Sequence, residues 1–359
     1  MSTTTFRFNF IQRIMLFALS LTLMLGACSK KDSTPPPPPA DKTALQAKVT
    51  ESQTLYSGTA EGTKPGFYEA GSQAAFLTVL NAAKAVLADA SASQTAVTNA
   101  TAQLQAALDA YKTKLIKEIA EANLIGFWKM NGNTADSSGK NNNGAATAGH
   151  VYYGAGVLAA APDRFGRAGM AYYFDKGSNI EVPYTTSLNP QQLTISCWIK
   201  KAAPASRTIN TDTYTILALN RWNGYKFQLQ SANKLFFTVN ANNGTDTTYY
   251  NRDDETAVLD NDVWYHGVVT YKPGLMNFYV NGDLVKSWTD TPNTPVTLST
   301  PINFIIGQDL PTNKYLTTDG DFQVAWGGFF TGTMDDVMFY NVALDAVQVK
   351  SIFNNQKTL

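Results

Sequence analysis

The spacing of apolar residues predicts two kinds of structure, which meet near residue 123. Between residues 41 and 122, apolar side chains recur every three or four positions, which is typical of amphipathic helices. Three such runs are marked by Leu45, Val49 and Tyr56, by Phe76, Leu80, Ala83 and Leu87, and by Val97, Leu104, Leu108, Tyr111 and Leu115. Ser91 and Gln94 fit a capping box at the start of the third run. An antiparallel three-helix bundle is therefore predicted over 41–122.

From residue 123 to residue 359, apolar and polar residues alternate in short runs, which is typical of strands with one buried face. Asn281-Gly282 lies between two such runs and predicts a tight hairpin, because both residues tolerate positive φ. Trp128, Trp198 and Trp264 lie inside the alternating runs and are predicted to be core residues. Many short strands in one segment predict an all-β jelly-roll sandwich of two sheets.

The N-terminus has the pattern of a secretory signal. Arg7 and Arg13 precede an apolar stretch at 14–25 that is too short to span a membrane as a stable helix. The stretch ends in Leu-Gly-Ala-Cys at Cys28, which resembles a bacterial lipobox. The resemblance implies a signal peptide at 1–27 and acyl chains on Cys28 that hold the mature protein on a membrane. An ordinary signal peptide with an incidental cysteine is the alternative.

Residues 28–40 are predicted to link this anchor to the folded part. Five consecutive prolines at 35–39 favour an extended polyproline II spacer, although such a run can also be a ligand for a proline-binding domain. The anchor and the spacer together predict a bacterial cell-envelope location, as an outer-membrane or cell-surface lipoprotein.

Composition and charge argue against a nucleic-acid partner and against a disulfide bond. The chain has 28 basic and 28 acidic residues, and removal of 1–27 leaves a formal charge of −2. No basic cluster is present, so no nucleic-acid partner is expected. With Cys28 lipidated, Cys197 is left without a disulfide partner, and its apolar surroundings predict a buried, inert thiol.

Two segments resemble known families. The runs KPGFY at 64–68, AAKAVL at 82–87 and QTAV at 94–97 resemble FIVAR-type helical modules of bacterial surface proteins, which implies a spacer or, alternatively, a ligand-binding module. The second segment, 123–359, carries a set of motifs that resembles a laminin-G-like, concanavalin A-like jelly roll. Its motifs are GFWKMNG at 126–132, DSSG at 136–139, AYYFD at 171–175, CWIK at 197–200, WYHGVVTY at 264–271, FYVNG at 278–282 and FTGTMDDVMFYN at 330–341. That fold hosts lectins, adhesion modules, glycosidases and accessory domains, so it implies no single function.

Catalytic residues are not predicted. A glycoside hydrolase on this fold needs two carboxylates facing each other. The acidic run at 253–255 lies in a polar stretch and is predicted to be a solvated loop, whereas Asp335 and Asp336 are adjacent and should point to opposite faces of a strand. Neither His150 nor His266 has a sequence neighbour suited to a triad.

The jelly-roll resemblance implies a possible structural calcium ion. It points to Asp335, at the start of the last strand, with Asp136 in the DSSG run as a second candidate. Oxygen ligands suit calcium. Alternatively, Asp136 caps a turn and Asp335 bonds to local backbone amides.

Ligand-binding candidates are aromatic residues close to planar polar ones. Three groups qualify, namely Asn220, Arg221, Trp222 and Tyr225, then Trp326, and then Asn242, Asn243, Tyr249 and Tyr250. Each group could instead serve core or edge packing. The sequence as a whole favours a lipid-anchored surface protein that recognises a glycan or a protein partner without catalysis. The alternatives are a hydrolase with an unrecognised acidic pair and a structural element of an envelope assembly.

Overall fold

The computed structural model describes residues 38–203, 214–242, 247–293, 301–315 and 328–358. Its N-terminal part is a bundle of three helices, α1 (Thr43–Ser57), α2 (Ser72–Ala88) and α3 (Gln94–Lys112). The Tyr111 ring stacks between Phe76, with ring centroids 4.6 Å apart, and Tyr68, at 4.3 Å. The predicted three-helix bundle is confirmed. No helix in the described ranges is both long and apolar enough to cross a bilayer.

The start of α3 differs from the predicted capping box. Ser93 is the N-cap, and its hydroxyl accepts a hydrogen bond from the Ala96 amide at 3.2 Å. The Ser91 hydroxyl instead bonds to the Asp89 carboxylate at 2.6 Å, in the turn that precedes the helix. The prediction of Ser91 as the cap was wrong because this local side-chain pairing holds it in the turn.

The C-terminal part of the chain consists mainly of strands, which form two antiparallel sheets. Their bounds are β1 (Leu124–Trp128), β2 (Ala145–Thr147), β3 (Ala159–Ala161), β4 (Ala171–Phe174), β5 (Asn179–Val182), β6 (Leu193–Lys201), β7 (Tyr214–Leu219), β8 (Tyr225–Gln230), β9 (Lys234–Asn242), β10 (Thr247–Asp253), β11 (Tyr265–Lys272), β12 (Leu275–Val280), β13 (Asp283–Trp288), β14 (Phe304–Ile306) and β15 (Gly332–Tyr340). One sheet has eight strands in the order β13-β12-β11-β6-β15-β4-β3, with β1 beside β15. The other has seven, in the order β10-β9-β8-β7-β14-β5-β2. The predicted jelly-roll sandwich is confirmed.

The core lies between the two sheets and is rich in aromatic side chains. Trp128 is fully buried and its indole N–H donates to the Asn142 carbonyl at 3.0 Å. Cys197 is buried without a disulfide, and burial raises the pKa of its thiol, which fits the predicted inert role. Trp264 is an exception to the predicted core. It precedes β11, remains partly exposed and lies 5.6 Å from the Lys200 ammonium group.

The predicted hairpin is present between β12 and β13. Asn281 and Gly282 both have positive φ, of 52° and 77°, as a tight two-residue turn between twisted strands requires. A C-terminal helix, α4 (Ala346–Gln356), covers the outer side of the eight-stranded sheet. Its Phe353 ring stacks on Trp198 and on His266.

Candidate functional site

The outer face of the seven-stranded sheet carries polar side chains at its centre. In β8, Tyr225, Phe227 and Leu229 face the core, so strand alternation places Lys226 and Gln228 on the opposite face. The register pairs Gln228 with Thr215 on β7 and Lys226 with Thr238 on β9. Asn240 follows two residues later on β9, on the same face. We call Thr215, Gln228, Thr238 and Asn240 the outer polar face.

Three oxygens of the outer polar face have no hydrogen-bond partner. They are Thr215 Oγ1, Gln228 Oε1 and Asn240 Oδ1, although these residues are only 0%, 1% and 3% exposed. The Asn240 amide has a fixed orientation, because its Nδ2 donates to the Asn223 carbonyl at 3.1 Å. A buried acceptor without a donor costs about 1–3 kcal/mol. Because these oxygens are covered, a ligand does not contact them in this arrangement, and their cost bears on the stability of the domain.

Asn240 brings two of the predicted ligand-binding groups together. Its backbone amide donates to the Gly224 carbonyl at 2.6 Å, which ties the turn containing Trp222 to β9. Across the ladder, Asn240 pairs with Tyr249 on β10, whose side chain is 54% exposed. Trp222, partly exposed, and Tyr249 thus flank Asn240 at one end of the outer polar face.

Arg221 and Tyr225 are buried, so neither can serve as an exposed ligand contact as predicted. The Arg221 side chain forms an ion pair with Asp309 at 2.7 Å, and the Tyr315 hydroxyl donates to the same carboxylate. Tyr225 is fully buried and its hydroxyl donates to the Leu188 carbonyl at 2.5 Å. Asn220 and Arg221 have positive φ, of 58° and 52°, which is costly for residues other than glycine. The buried ion pair helps to hold this strained turn.

Lys226 is the one charged residue beside the outer polar face in β8. Its ammonium group lies 5.6 Å from the centre of the Trp222 ring. Burial lowers the pKa of Lys226, and the nearby Arg221 guanidinium lowers it further, while Asp309 acts in the opposite direction. Sequence reasoning missed Lys226, Gln228 and Thr215. The alternation in YKFQLQ at 225–230 is the signal that could have found the first two, since every second residue is polar.

The predicted calcium residues are occupied by other contacts. Arg164 pairs with both Asp335 and Asp336, at 2.8 Å from the latter. The Asp136 carboxylate accepts four hydrogen bonds, from the amides of Phe127, Ser138 and Asn142 and from the Ser138 hydroxyl. Asp136 thus holds a turn. Both carboxylates thus bond to donors of the protein, and no cluster of three His, Cys, Asp or Glu residues able to hold a metal occurs in the described ranges, so the calcium ion stays a prediction.

The pairing with Arg164 overturns the predicted geometry of the two aspartates. A bulge between Asp335 and Met338, with Asp336 at a φ of 45°, breaks the strand alternation. Both carboxylates therefore reach one guanidinium instead of opposite faces. Burial, followed by the adjacent Asp336 charge, raises the pKa of Asp335 against the effect of Arg164.

The acidic run at 253–255 is only partly a solvated loop. Asp254 is fully buried, and its carboxylate accepts hydrogen bonds from the backbone amides of Leu235, at 2.8 Å, and Ala257, at 3.1 Å. Burial raises the pKa of Asp254 to about 6. Its role is to attach the loop to the start of β9.

Some predicted residues lie outside the described ranges. They are Cys28, Trp326 and Asn243, and the side chain of Asn242 is likewise not described. Tyr250 is described, and it packs against the sandwich core from the edge strand.

The sequence comparison agrees with the fold. Residues 174–350 match the profile of the Laminin_G_3 family, the concanavalin A-like lectin/glucanases superfamily. The matched segment contains most strands of the sandwich, whose two sheets are consistent with a concanavalin A-like fold. No curated protein matches the chain.

Solved structures with related architecture are distant. Domain 4 of AbnA, a GH43 extracellular arabinanase from Geobacillus stearothermophilus solved with arabinotriose, is 20% identical, with a TM-score of 0.46 over 64% of this chain and 98% of that chain. The binding domain of Paraclostridial Mosquitocidal Protein 1 is 18% identical, with a TM-score of 0.47 over 66% of this chain and 52% of that one. The binding domain of botulinum neurotoxin DC, in complex with SialylT, is 16% identical, with a TM-score of 0.44 over 65% and 51%. This chain thus spans about half the length of the two toxin chains. At these scores, none of the three carries an argument about ligand.

Proposed function

We propose that the concanavalin A-like domain binds a glycan, without catalysis, at the surface formed by Trp222, Lys226 and Tyr249. The observation that carries this proposal is the pair of accessible aromatic side chains, Trp222 and Tyr249, beside the partly exposed Lys226 ammonium group. Aromatic rings offer surface for the apolar side of a sugar ring, and the ammonium group can donate hydrogen bonds to its hydroxyl groups.

Hydrolysis is not proposed, because the two outward-facing carboxylates on the described strands of this sheet are too far apart. Glu181 on β5 and Asp253 on β10 project from the same sheet face as the outer polar face. Five strand spacings separate β5 from β10, which is roughly 24 Å at about 4.8 Å per spacing. The two carboxylates of a glycosidase are only about 5–10 Å apart.

The binding domain is proposed to sit on a cell envelope, held by acyl chains on Cys28. The apolar stretch at 14–25, the Leu-Gly-Ala-Cys run and the prolines at 35–39 support this proposal. The helical bundle would then extend the reach of the domain from the membrane, in keeping with a FIVAR-like spacer.

Binding is tested with the full chain, purified in detergent, on an array of neutral and acidic glycans. We expect at least one class to bind, and we expect Trp222→Ala to reduce that binding roughly tenfold, because the substitution removes aromatic surface on which the sugar ring packs. Trp264→Ala is the matched control, since Trp264 is also partly exposed and lies beside a lysine, Lys200, but next to the other sheet. An array without any bound glycan, or equal binding by the Trp222 variant, would refute the proposal.

The anchor is tested separately by Cys28→Ser. The variant should lack acyl chains and should no longer fractionate with membranes. A variant that is still processed and still membrane-bound would show that Cys28 is not lipidated.

A further inference from the structure

Lys226 is a charged side chain at the candidate site without an opposite charge of its own. Its ammonium group makes no hydrogen bond and no ion pair within the described residues, and its one contact of note is the Trp222 ring at 5.6 Å. The nearest carboxylate that influences it electrostatically, Asp309, is already paired with Arg221 and bonded by Tyr315. Among the described residues, two cations thus share one carboxylate here, which leaves one net positive charge.

The other charges on this sheet face do not compensate Lys226. Glu181, on β5, accepts a hydrogen bond from the Asn303 amide at 2.6 Å and lies three strands from β8. Asp253, on β10, lies two strands away on the other side, and its carboxylate accepts from the Glu255 amide. A partly buried ammonium without a counter-charge is unfavourable, and an anionic ligand would remove that cost.

The acceptors of the outer polar face surround this charge. Gln228 follows Lys226 by two residues on the same face of β8, Thr238 pairs with Lys226 across the ladder, and Asn240 lies diagonal to it. These three residues are only 1–3% exposed, so the groups that a ligand meets here are the partly exposed Lys226 ammonium group and the accessible rings of Trp222 and Tyr249. A sugar that carries an anionic group has matching chemistry, since its ring can pack on an aromatic side chain while the anion pairs with the lysine.

We infer that the site selects acidic glycans, with a carboxylate or sulfate group bound by Lys226 beside the Trp222 ring. This inference rests on the proposed glycan-binding function and narrows its ligand class. The formal charge of the mature chain is −2, so general attraction between the protein and a polyanion does not explain such binding. The local charge at Lys226 would have to supply it.

The experiment measures the affinity of the full chain, in detergent, for four polymers. Polygalacturonate carries carboxylates, dextran sulfate carries sulfates, and galactan and dextran are neutral. We expect the protein to bind one of the acidic polymers more tightly than either neutral one, and Lys226→Met to weaken that binding roughly tenfold or more while neutral binding is unchanged. Lys226→Arg should restore most of the affinity. The acidic polymer that binds identifies the anionic group.

A closely matched control exists on the other sheet. Lys200 lies over the Trp264 ring at the same distance of 5.6 Å, so Lys200→Met removes an equivalent lysine–tryptophan pair away from the site. Equal losses in the Lys200 and Lys226 variants would mean nonspecific charge attraction and would overturn the inference. Preferred binding of neutral polymers, untouched by Lys226→Met, would overturn it while leaving the proposed function intact. Absence of binding to all glycans would remove the proposed function itself.

Discussion

At the scale of single residues, some buried side chains have a polar atom without a hydrogen-bond partner. Gln228 Oε1 has no donor, and His266 is fully buried with Nε2 2.8 Å from the Ser196 hydroxyl and Nδ1 without a partner. Ser196 and His266 resemble part of a catalytic pair, but both side chains are buried under α4 and no carboxylate bonds to the ring. The energetic consequences differ for the two residues, and each can be measured.

Gln228→Met should raise the stability of the folded protein. The wild-type protein buries an amide oxygen without a hydrogen bond, and a thioether side chain of similar size removes that cost. We expect the free energy of unfolding to rise by about 1 kcal/mol, measured by urea denaturation. Gln103→Met, on the exposed surface of α3, should give no such gain. A loss of stability in the Gln228 variant would show that its oxygen is satisfied in solution, for instance by ordered water.

His266 should make the folded protein sensitive to acid. Burial, and then the nearby Arg164 charge, lowers the pKa of His266 to about 3, whereas an exposed histidine titrates near pH 6.5. The unfolded chain therefore binds the proton first. The stability contributed by the neutral ring is complete above about pH 6.5 and is lost as the pH falls towards 3. At pH 5 the loss is about 2 kcal/mol.

The measurement compares urea unfolding at pH 7.5 and pH 5 for the wild type and His266→Gln. The variant should lack about 2 kcal/mol of the pH-dependent loss, because contributions from Asp254 and other carboxylates are common to both proteins and cancel. His150→Gln should keep the wild-type loss, since it leaves His266 in place. The same pH dependence in all three proteins would show that His266 is protonated without cost in the fold.

At the scale of elements, Arg164 connects three parts of the chain. Its guanidinium pairs with Asp335 and Asp336 on β15, and its Nε donates to the Gln356 carbonyl at the end of α4 at 3.0 Å. Gln356 also accepts from the Trp198 indole N–H, through its side chain, at 3.0 Å. The loop that holds Arg164 thus fastens the last helix to the eight-stranded sheet.

Arg164→Gln should be strongly destabilising, by about 3–5 kcal/mol, because the buried Asp335 and the partly buried Asp336 lose the cation that pairs with both. Adding Asp335→Asn and Asp336→Asn to that variant should recover part of the loss, as the remaining charges are removed. Thermal unfolding of the wild type should be unaffected by a calcium chelator, since Arg164 already supplies the positive charge. A lower melting temperature in chelator, abolished by Asp335→Ala, would instead establish the predicted calcium ion.

Sequence patterns predicted those features that depend on residues close together in the chain. The three helices follow from apolar spacing, and the Asn281-Gly282 hairpin follows from two residues that accept positive φ. Features that depend on distant pairing were missed. Arg164 meets Asp335 across 171 residues, and a bulge reversed the expected direction of Asp336. The outer polar face was also missed, because its residues come from three strands whose register no local pattern gives.

At the scale of the whole molecule, few contacts join the helical bundle to the sandwich. The Thr63 carbonyl accepts hydrogen bonds from Ser351 and Asn355 on α4, the latter at 3.0 Å. In the segment after the bundle, Ile119 packs in a small cluster with Leu344 and Val349. These contacts all involve α4 or the residues just before it. The bundle therefore further stabilises the position of α4, the helix that Arg164 attaches to the eight-stranded sheet. Each part nevertheless has a core of its own.

Residues 124–359 should therefore fold without the bundle. The truncated chain loses two hydrogen bonds to Thr63 and the burial of Ile119, which together amount to about 2–4 kcal/mol. For a domain of this size, that corresponds to a melting temperature lower by roughly 5–10 °C, with a β-rich circular dichroism spectrum retained. Residues 41–122 should be mostly helical alone.

In the full chain, the double variant Ile119→Ala and Asn355→Ala should reproduce most of this decrease in melting temperature. The comparison separates the effect of the lost contacts from the effect of the shorter chain. A truncated chain that does not fold, beside a stable double variant, would show that the bundle is required for the sandwich to form and is more than a spacer.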